Sequence, residues 1–174
     1  MREHAEIRAV LPQRHPMLLV DRVLALEPGR LIRTVKLVSA TEPCYADLPE
    51  GAEPWRFAYP RSLVIESFGQ SAALLWLADS PPPDDDGVLM FIGARDWRFA
   101  GSAYPGDVLR HEVHLDSVVA DTAFAHGETW IGDRRVATVG TLTATRRPVA
   151  RPAVPPSGAA HPHPMVSIST EGQR

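Results

Sequence analysis

The sequence predicts an α+β protein in which a curved antiparallel sheet wraps around one long central helix. Three observations lead there. Residues 60–79 (PRSLVIESFGQSAALLWLAD) are apolar around nearly the whole helical circumference, the pattern of a helix enclosed by other structure. Two strand-like runs precede this stretch and about four follow it. With only one long helix to cover so many strands, the sheet must curl round that helix for both to bury their apolar surface.

Taken in order, residues 3–10 have helical spacing, with Ile7 and Val10 apolar and Pro12 closing the segment. Residues 18–26 (LLVDRVLAL) form an apolar run, Pro28-Gly29 a turn, and residues 30–38 alternate Ile32, Val35 and Leu37 with polar positions, so the pair reads as an antiparallel hairpin. Residues 42–59 are a loop punctuated by Pro43, Pro49, Gly51 and Pro54 and weighted by Tyr45, Trp55, Phe57 and Tyr59. A loop this long in a compact domain carries a function or covers something. Ser62 is expected to cap the central helix after Pro60, which puts Glu66 in the first turns, near the positive end of the helix dipole, with Gln70 one turn further on the same face. The apolar surroundings make Glu66 a costly carboxylate. The run falls short of the ~20 residues of a membrane span and holds Glu66 and Gln70, which argues against a membrane helix. Asp79, Ser80 and Pro81 to Pro83 stop the helix, and a solvated loop follows through Asp84, Asp85, Asp86 and Gly87. The remaining strands are expected over residues 88–99, 108–118, 119–131 and 135–145, with a turn at residues 104–107 and a hairpin turn at Gly132-Asp133.

The 174 residues, 44% hydrophobic and 22% charged, suit one soluble globular domain. That domain is expected over residues 1–147, followed by a disordered Pro/Ala/His-rich tail over 148–174 that cannot bury enough surface to offset its chain entropy. His161 and His163 fall on this tail without further ligands, so no metal site is expected. From Arg146 onward Arg146, Arg147, Arg151 and Arg174 face Glu171, 4 − 1 = +3, which leaves −3 − 3 = −6 for the rest of the chain. An acidic body does not read as a nucleic-acid binder. Cys44, the single cysteine, rules out an intramolecular disulfide and is expected as a small buried apolar residue. Residues 1–16 are charged and lack the apolar core of a secretory signal, so a cytoplasmic location is expected.

Three motifs then point to a family. Residues 11–23 (LPQRHPMLLVDRV) resemble the opening signature of the 3-hydroxyacyl-ACP dehydratases of fatty-acid synthesis. Residues 60–73 (PRSLVIESFGQSAA) are similar to that family's central-helix motif, and residues 98–109 (RFAGSAYPGDVL) to its Arg-Phe…Pro-Gly-Asp strand entry. The resemblance spans about residues 7–145 and implies the hotdog fold, a sheet wrapped round one helix. It further implies side-by-side pairing of two protomers, with each active site at their interface. A histidine from one chain's loop takes the α proton of the acyl thioester, and a carboxylate on the other chain's helix assists departure of the 3-hydroxyl as water. The substrate would ride on the phosphopantetheine of an acyl carrier protein, with no other cofactor. A carboxylate in an apolar site suits a general acid, and backbone N–H groups at a helix start can polarise the thioester carbonyl.

Residue by residue, Glu66 matches the family's catalytic carboxylate and Gln70 its helix glutamine. Arg61 stands where the family has glycine at the helix start. The family's Gly-His-Phe-Pro-Gly is replaced by residues 46–51 (ADLPEG), which put Asp47 or Leu48 at the histidine position. Neither does the work of an imidazole near pH 7. Gln70, Arg61 and Asp47 are therefore the substrate-side positions, and Arg95, Arg98 and Arg110 are candidates for meeting an acidic carrier. His15 is expected in packing or hydrogen bonding; His111, His114 and His126 are read as core or surface histidines of strands. The readings that follow are a dehydratase subunit that supplies Glu66 to a heterodimer whose partner donates the histidine, a non-catalytic hotdog subunit that stabilises a partner or binds acyl-ACP, and a hotdog thioesterase. The first accounts for a chain that lacks the base and keeps Glu66 and Gln70.

Overall fold

Pro60 decides where the central helix begins. Its carbonyl accepts the amides of Leu63 (3.0 Å) and Val64 (3.2 Å), so helix α2 runs Arg61–Asp79 and Ser62 lies exposed inside its first turn instead of capping it. The computed structural model describes residues 3–79 and 87–148. A short helix α1 (His4–Val10) leads the chain, with a capping box between Glu3 and Glu6. Strands β1 (Arg22–Glu27) and β2 (Leu31–Leu37) form the expected hairpin around Gly29 at φ 71°. After α2 come β3 (Gly87–Arg95), β4 (Arg98–Phe99), β5 (Val108–Val119), β6 (Thr122–Ile131) and β7 (Arg134–Pro148).

All neighbouring strands are antiparallel, in the order β1-β2-β5-β6-β7-β3, and β4 pairs with β7 beside β3. Along β5 Leu109, His111 and Val113 are buried while Arg110, Glu112 and His114 alternate with them on the other face. This alternation gives the sheet one face to wrap round α2, and the fold is a hotdog. Phe68, Leu74 and Leu75 of α2 meet Val20, Val23, Ile32, Val113 and Leu142 in the main core, and Ile7 and Leu11 close it from the α1 side. Gly127 sits beneath Phe68, where a Cβ would lie 3.0 Å from the ring and 2.1 Å from the Glu112 carbonyl oxygen, so no side chain fits.

Three expectations change at this level. Residues 18–21 lie outside the strand and precede β1, because the Leu19 amide bonds the Gln70 side chain instead of a strand neighbour. The 42–59 loop contains 3-10 turns at Pro43–Tyr45 and Pro54–Phe57 and packs Tyr45 and Tyr59 with Val64, Leu109 and Val136 into a second core, yet the turn leaves Cys44 exposed rather than buried. Strand β7 continues through Arg146 and Arg147 to Pro148, because β3 extends alongside and pairs Val88 with Arg147, so pairing outlasts the change in composition. The Asp84–Asp86 loop and the tail beyond Pro148, with His161 and His163, lie outside the described residues.

Candidate active site

Spacing by four residues places Glu66 and Gln70 on one face of α2. Gln70 is 1% exposed and uses its whole amide: Oε1 accepts from the Leu19 amide (2.9 Å), and Nε2 donates to the Met17 carbonyl (2.6 Å) and to Glu66 Oε1 (2.8 Å). The two backbone partners fix which end of the amide is the donor, so Glu66 receives a hydrogen bond from a group that cannot turn away. Glu66 itself is half-buried rather than enclosed, because its neighbours Ile65, Gly69 and Ala73 border a cavity and not a packed core.

That cavity runs beside α2, from Glu66 and Gln70 to Trp76. Residues 11–13 form one border, and Leu89, Met90 and Phe91 of β3 another. Small side chains of the sheet, Ala123, Ala125 and Ala144, make room between them. Strand β3 ends the sheet, with no strand on its outer side among the described residues, and Val88, Met90, Phe91 and Ile92 are 45–60% exposed along it. One wall of the cavity is therefore a free apolar edge. Two residues that the motifs did not single out also line the space. Gln13 Oε1 and Trp76 Nε1 are buried without a hydrogen-bond partner. Their sequence positions gave no hint: Gln13 is one of several polar residues in the opening motif, and Trp76 one of many bulky residues on an all-round apolar helix.

The remaining predicted residues are dispersed. Asp47 is exposed and Leu48 packs on the second core; neither borders the cavity, and among the described residues no histidine does. The Arg61 guanidinium stacks on Phe99, 4.9 Å from the ring centroid. Arg98 lines a shallow groove with Phe99 and Arg135 on the β4–β7 side, and Arg95 is exposed at the end of β3. Arg110 and Arg135 flank the Trp130 ring at 5.8 and 5.9 Å, with Arg135 held by Glu128 at 2.6 Å. His15 is exposed and neither packs nor bonds as expected, because its segment is anchored by Met17 and Leu19 instead. His114 and His126 stack across β5 and β6 at 5.0 Å on the outer face.

His111 is the buried histidine. It lies under the face of α2 turned away from the cavity, wholly inaccessible, with Nε2 2.9 Å from Ser67 Oγ and Nδ1 2.9 Å from Thr129 Oγ1. Ser67 Oγ–H donates to the Val64 carbonyl, so Nε2–H donates to Ser67 and Nδ1 accepts from Thr129. Ser71 extends the web, donating to the Ser67 carbonyl and meeting Thr34 Oγ1 at 2.7 Å. Burial pushes the imidazole down to about 3, so it is neutral and serves as a neutral donor and acceptor. Among the described residues no three or more His, Cys, Asp and Glu side chains gather to hold a metal ion, and no helix is long and apolar enough to cross a membrane.

A carboxylate fixed by a helix glutamine, beside a cavity in a hotdog sheet, is the setting in which comparison with known proteins decides the family. The family model described as a FabA-like domain matches residues 11–140. The chain belongs to the FabA-like family. The FabA-like match takes in the cavity's first border, all of α2 and most of the sheet. The chain is 39% identical over 141 residues to a 3-hydroxyacyl-[acyl-carrier-protein] dehydratase FabZ of Albidiferax ferrireducens, covering 80% of this chain and 91% of that protein. It is 38% identical over 124 residues to the FabZ of Symbiobacterium thermophilum, covering 71% and 83%. Among solved structures it resembles the dehydratase heterocomplex ApeI:P from Xenorhabdus doucetiae, at TM-score 0.66 and 19% identity over 81% of this chain and 90% of that one, a likeness of fold.

Proposed function

We propose that this chain is one half of a paired hotdog dehydratase and supplies Glu66 to an active site whose base comes from a partner of the same fold. The observation that carries the reading is the cavity itself: it holds a carboxylate positioned by Gln70 and, among the described residues, no imidazole. In the reaction the partner's histidine takes the α proton of a 3-hydroxyacyl thioester, the electron pair forms the α,β double bond, the C3–O bond breaks, and protonated Glu66 delivers its proton to the departing hydroxyl. One water leaves and a 2-enoyl thioester remains. Gln70 keeps the carboxyl aimed throughout. The free edge of β3 supports pairing with a second hotdog sheet, since such an edge offers unpaired backbone groups and an apolar face to another strand. Arg95, Arg98 and Arg110 would meet the acidic surface and phosphate of a carrier protein, and Arg61, whose guanidinium stacks on Phe99, would lie on the substrate side.

The test is to produce the chain alone and together with candidate hotdog partners, isolate the complex, and assay dehydration of 3-hydroxyacyl-ACP with and without Glu66→Gln. The expected outcome is an inert single chain, an active complex, and a loss of roughly 10²- to 10⁴-fold in kcat on Glu66→Gln. An equally active Glu66→Gln complex would make this chain a scaffold for its partner, the role suggested by exposed Asp47 and packed Leu48. Activity of the chain alone would place a base within it.

A further inference from the structure

The cavity beside α2 is lined mostly by small side chains. Gly69, Ala72 and Ala73 of the helix leave room on one side, and Ala123, Ala125 and Ala144 of the sheet on the other. Trp76 breaks this pattern. It is the largest residue of the lining and the last that α2 contributes, although the helix continues to Asp79. Ten residues on from Glu66, it stands about 15 Å further along the helix axis at 1.5 Å per residue.

The sheet stops lining the cavity beside the same residue. Leu89 and Ala144 belong to the lining, whereas Arg146, which pairs with Leu89, does not. Arg146 instead lies over the Trp76 ring, its guanidinium carbon 5.0 Å from the centroid. The backbone that carries this arginine is tied down: its amide and the Thr145 hydroxyl both donate to the Asp121 carbonyl oxygen, each at 2.8 Å. An indole only 2% exposed, with an arginine held over its ring, is a fixed wall, because close-packed neighbours leave it nowhere to swing. The side chains of Ala72, Ala73, Leu89 and Ala144 around it are hydrocarbon, so what reaches this end of the cavity is apolar.

We infer that Trp76 is a specificity-determining residue: its indole ends the acyl cavity and sets the longest straight chain that the protein takes up. This rests on the proposed function for the direction of the substrate, thioester beside Glu66 and methyl end toward Trp76. Each methylene that enters the apolar space raises affinity roughly three- to fourfold. The methylene that meets the indole finds no space left, so the gain stops there.

The experiment is calorimetric binding of saturated acyl-pantetheine thioesters, lengthened one carbon at a time, to the isolated dehydratase complex. The expected result is a rise of roughly three- to fourfold per carbon up to a limit, and in Trp76→Ala the same rise carried roughly two or more carbons further. A rise without a limit, no binding of any chain, or a limit at the same length in Trp76→Ala would overturn the inference. If Trp76→Ala does not fold, the unmutated complex gives the answer by NMR: the terminal methyl of the limit-length chain should show a nuclear Overhauser effect to the Trp76 ring protons, and no such contact overturns the inference equally. No turnover is involved, so a complex whose limit moves with Trp76 but which never dehydrates sinks the proposed function alone. A complex that dehydrates and keeps its limit in Trp76→Ala sinks this inference alone.

Discussion

On the sheet-facing side of α2, Ser67, Ser71, Thr34, His111 and Thr129 use their hydroxyl protons and ring nitrogens on one another and on backbone carbonyls. On the cavity side, a half-turn of the helix away, Gln13 Oε1 and Trp76 N–H have no partners and Glu66 has only Gln70. Both faces bury polar groups beside the same helix. Completeness separates them: a closed web fixes how the helix sits on the sheet, while the cavity side leaves polar atoms without a protein partner.

Gln70 joins the two regimes, because it pins residues 17–19 to the helix and aims Glu66. Gln70→Leu should give the largest loss of stability, about 2–4 kcal/mol by urea unfolding, since the Leu19 amide and the Met17 carbonyl lose their buried partner together. It should also lower dehydration by the complex. Unchanged stability would mean that those backbone groups reach water. The closed web is sharpened by His111→Met, expected to cost about 1–3 kcal/mol by orphaning Thr129 and Ser67. Adding Ser67→Ala and Thr129→Val should recover much of that, because removing every member of a polar web is far milder than removing one. A triple variant no more stable than the single one would refute the web as a unit.

The same histidine gives a pH signature. Burial lowers its pKa from 6.5 to about 3, so on acidification the unfolded chain takes up the proton first. Its contribution to stability is complete above pH 6.5 and should decline, by up to ~1.4 kcal/mol per pH unit, as pH falls toward 3. His111→Met should flatten that slope relative to the unmutated chain; parallel curves would show that His111 is already protonated in the fold. The smallest effect belongs to neither face. Arg98→Glu with Arg110→Glu should raise KM severalfold for ACP-borne substrate, less so at high salt, and leave stability within roughly 0.5 kcal/mol. An equal rise for a substrate on free pantetheine would move those arginines from carrier to substrate.

How much of this could be read beforehand follows from range. The all-round apolar stretch at 60–79 and the alternation of Ile32, Val35 and Leu37 over 30–38 are local patterns, and they located the central helix and the first hairpin, while whether His111 was core or surface stayed open. Motif resemblance added Glu66 and Gln70, which α2 brings into hydrogen-bonding contact. The unpaired state of Trp76 was not legible, because it depends on which residues of β3, β6 and β7 stand opposite, 13 or more positions away. Cys44 illustrates the converse: an apolar residue type in a loop was expected inside, and one 3-10 turn put it outside.

The uncovered edge of β3 has a consequence for the life of the protein in a cell. Val88, Met90, Phe91 and Ile92, on a strand whose outer edge has no neighbour among the described residues, form a surface that other unfolded or edge-exposed chains can join, and that quality-control machinery treats as unfinished. A copy whose β3 edge stays uncovered is therefore exposed to aggregation and proteolysis, so whatever covers that edge sets how much of this chain survives.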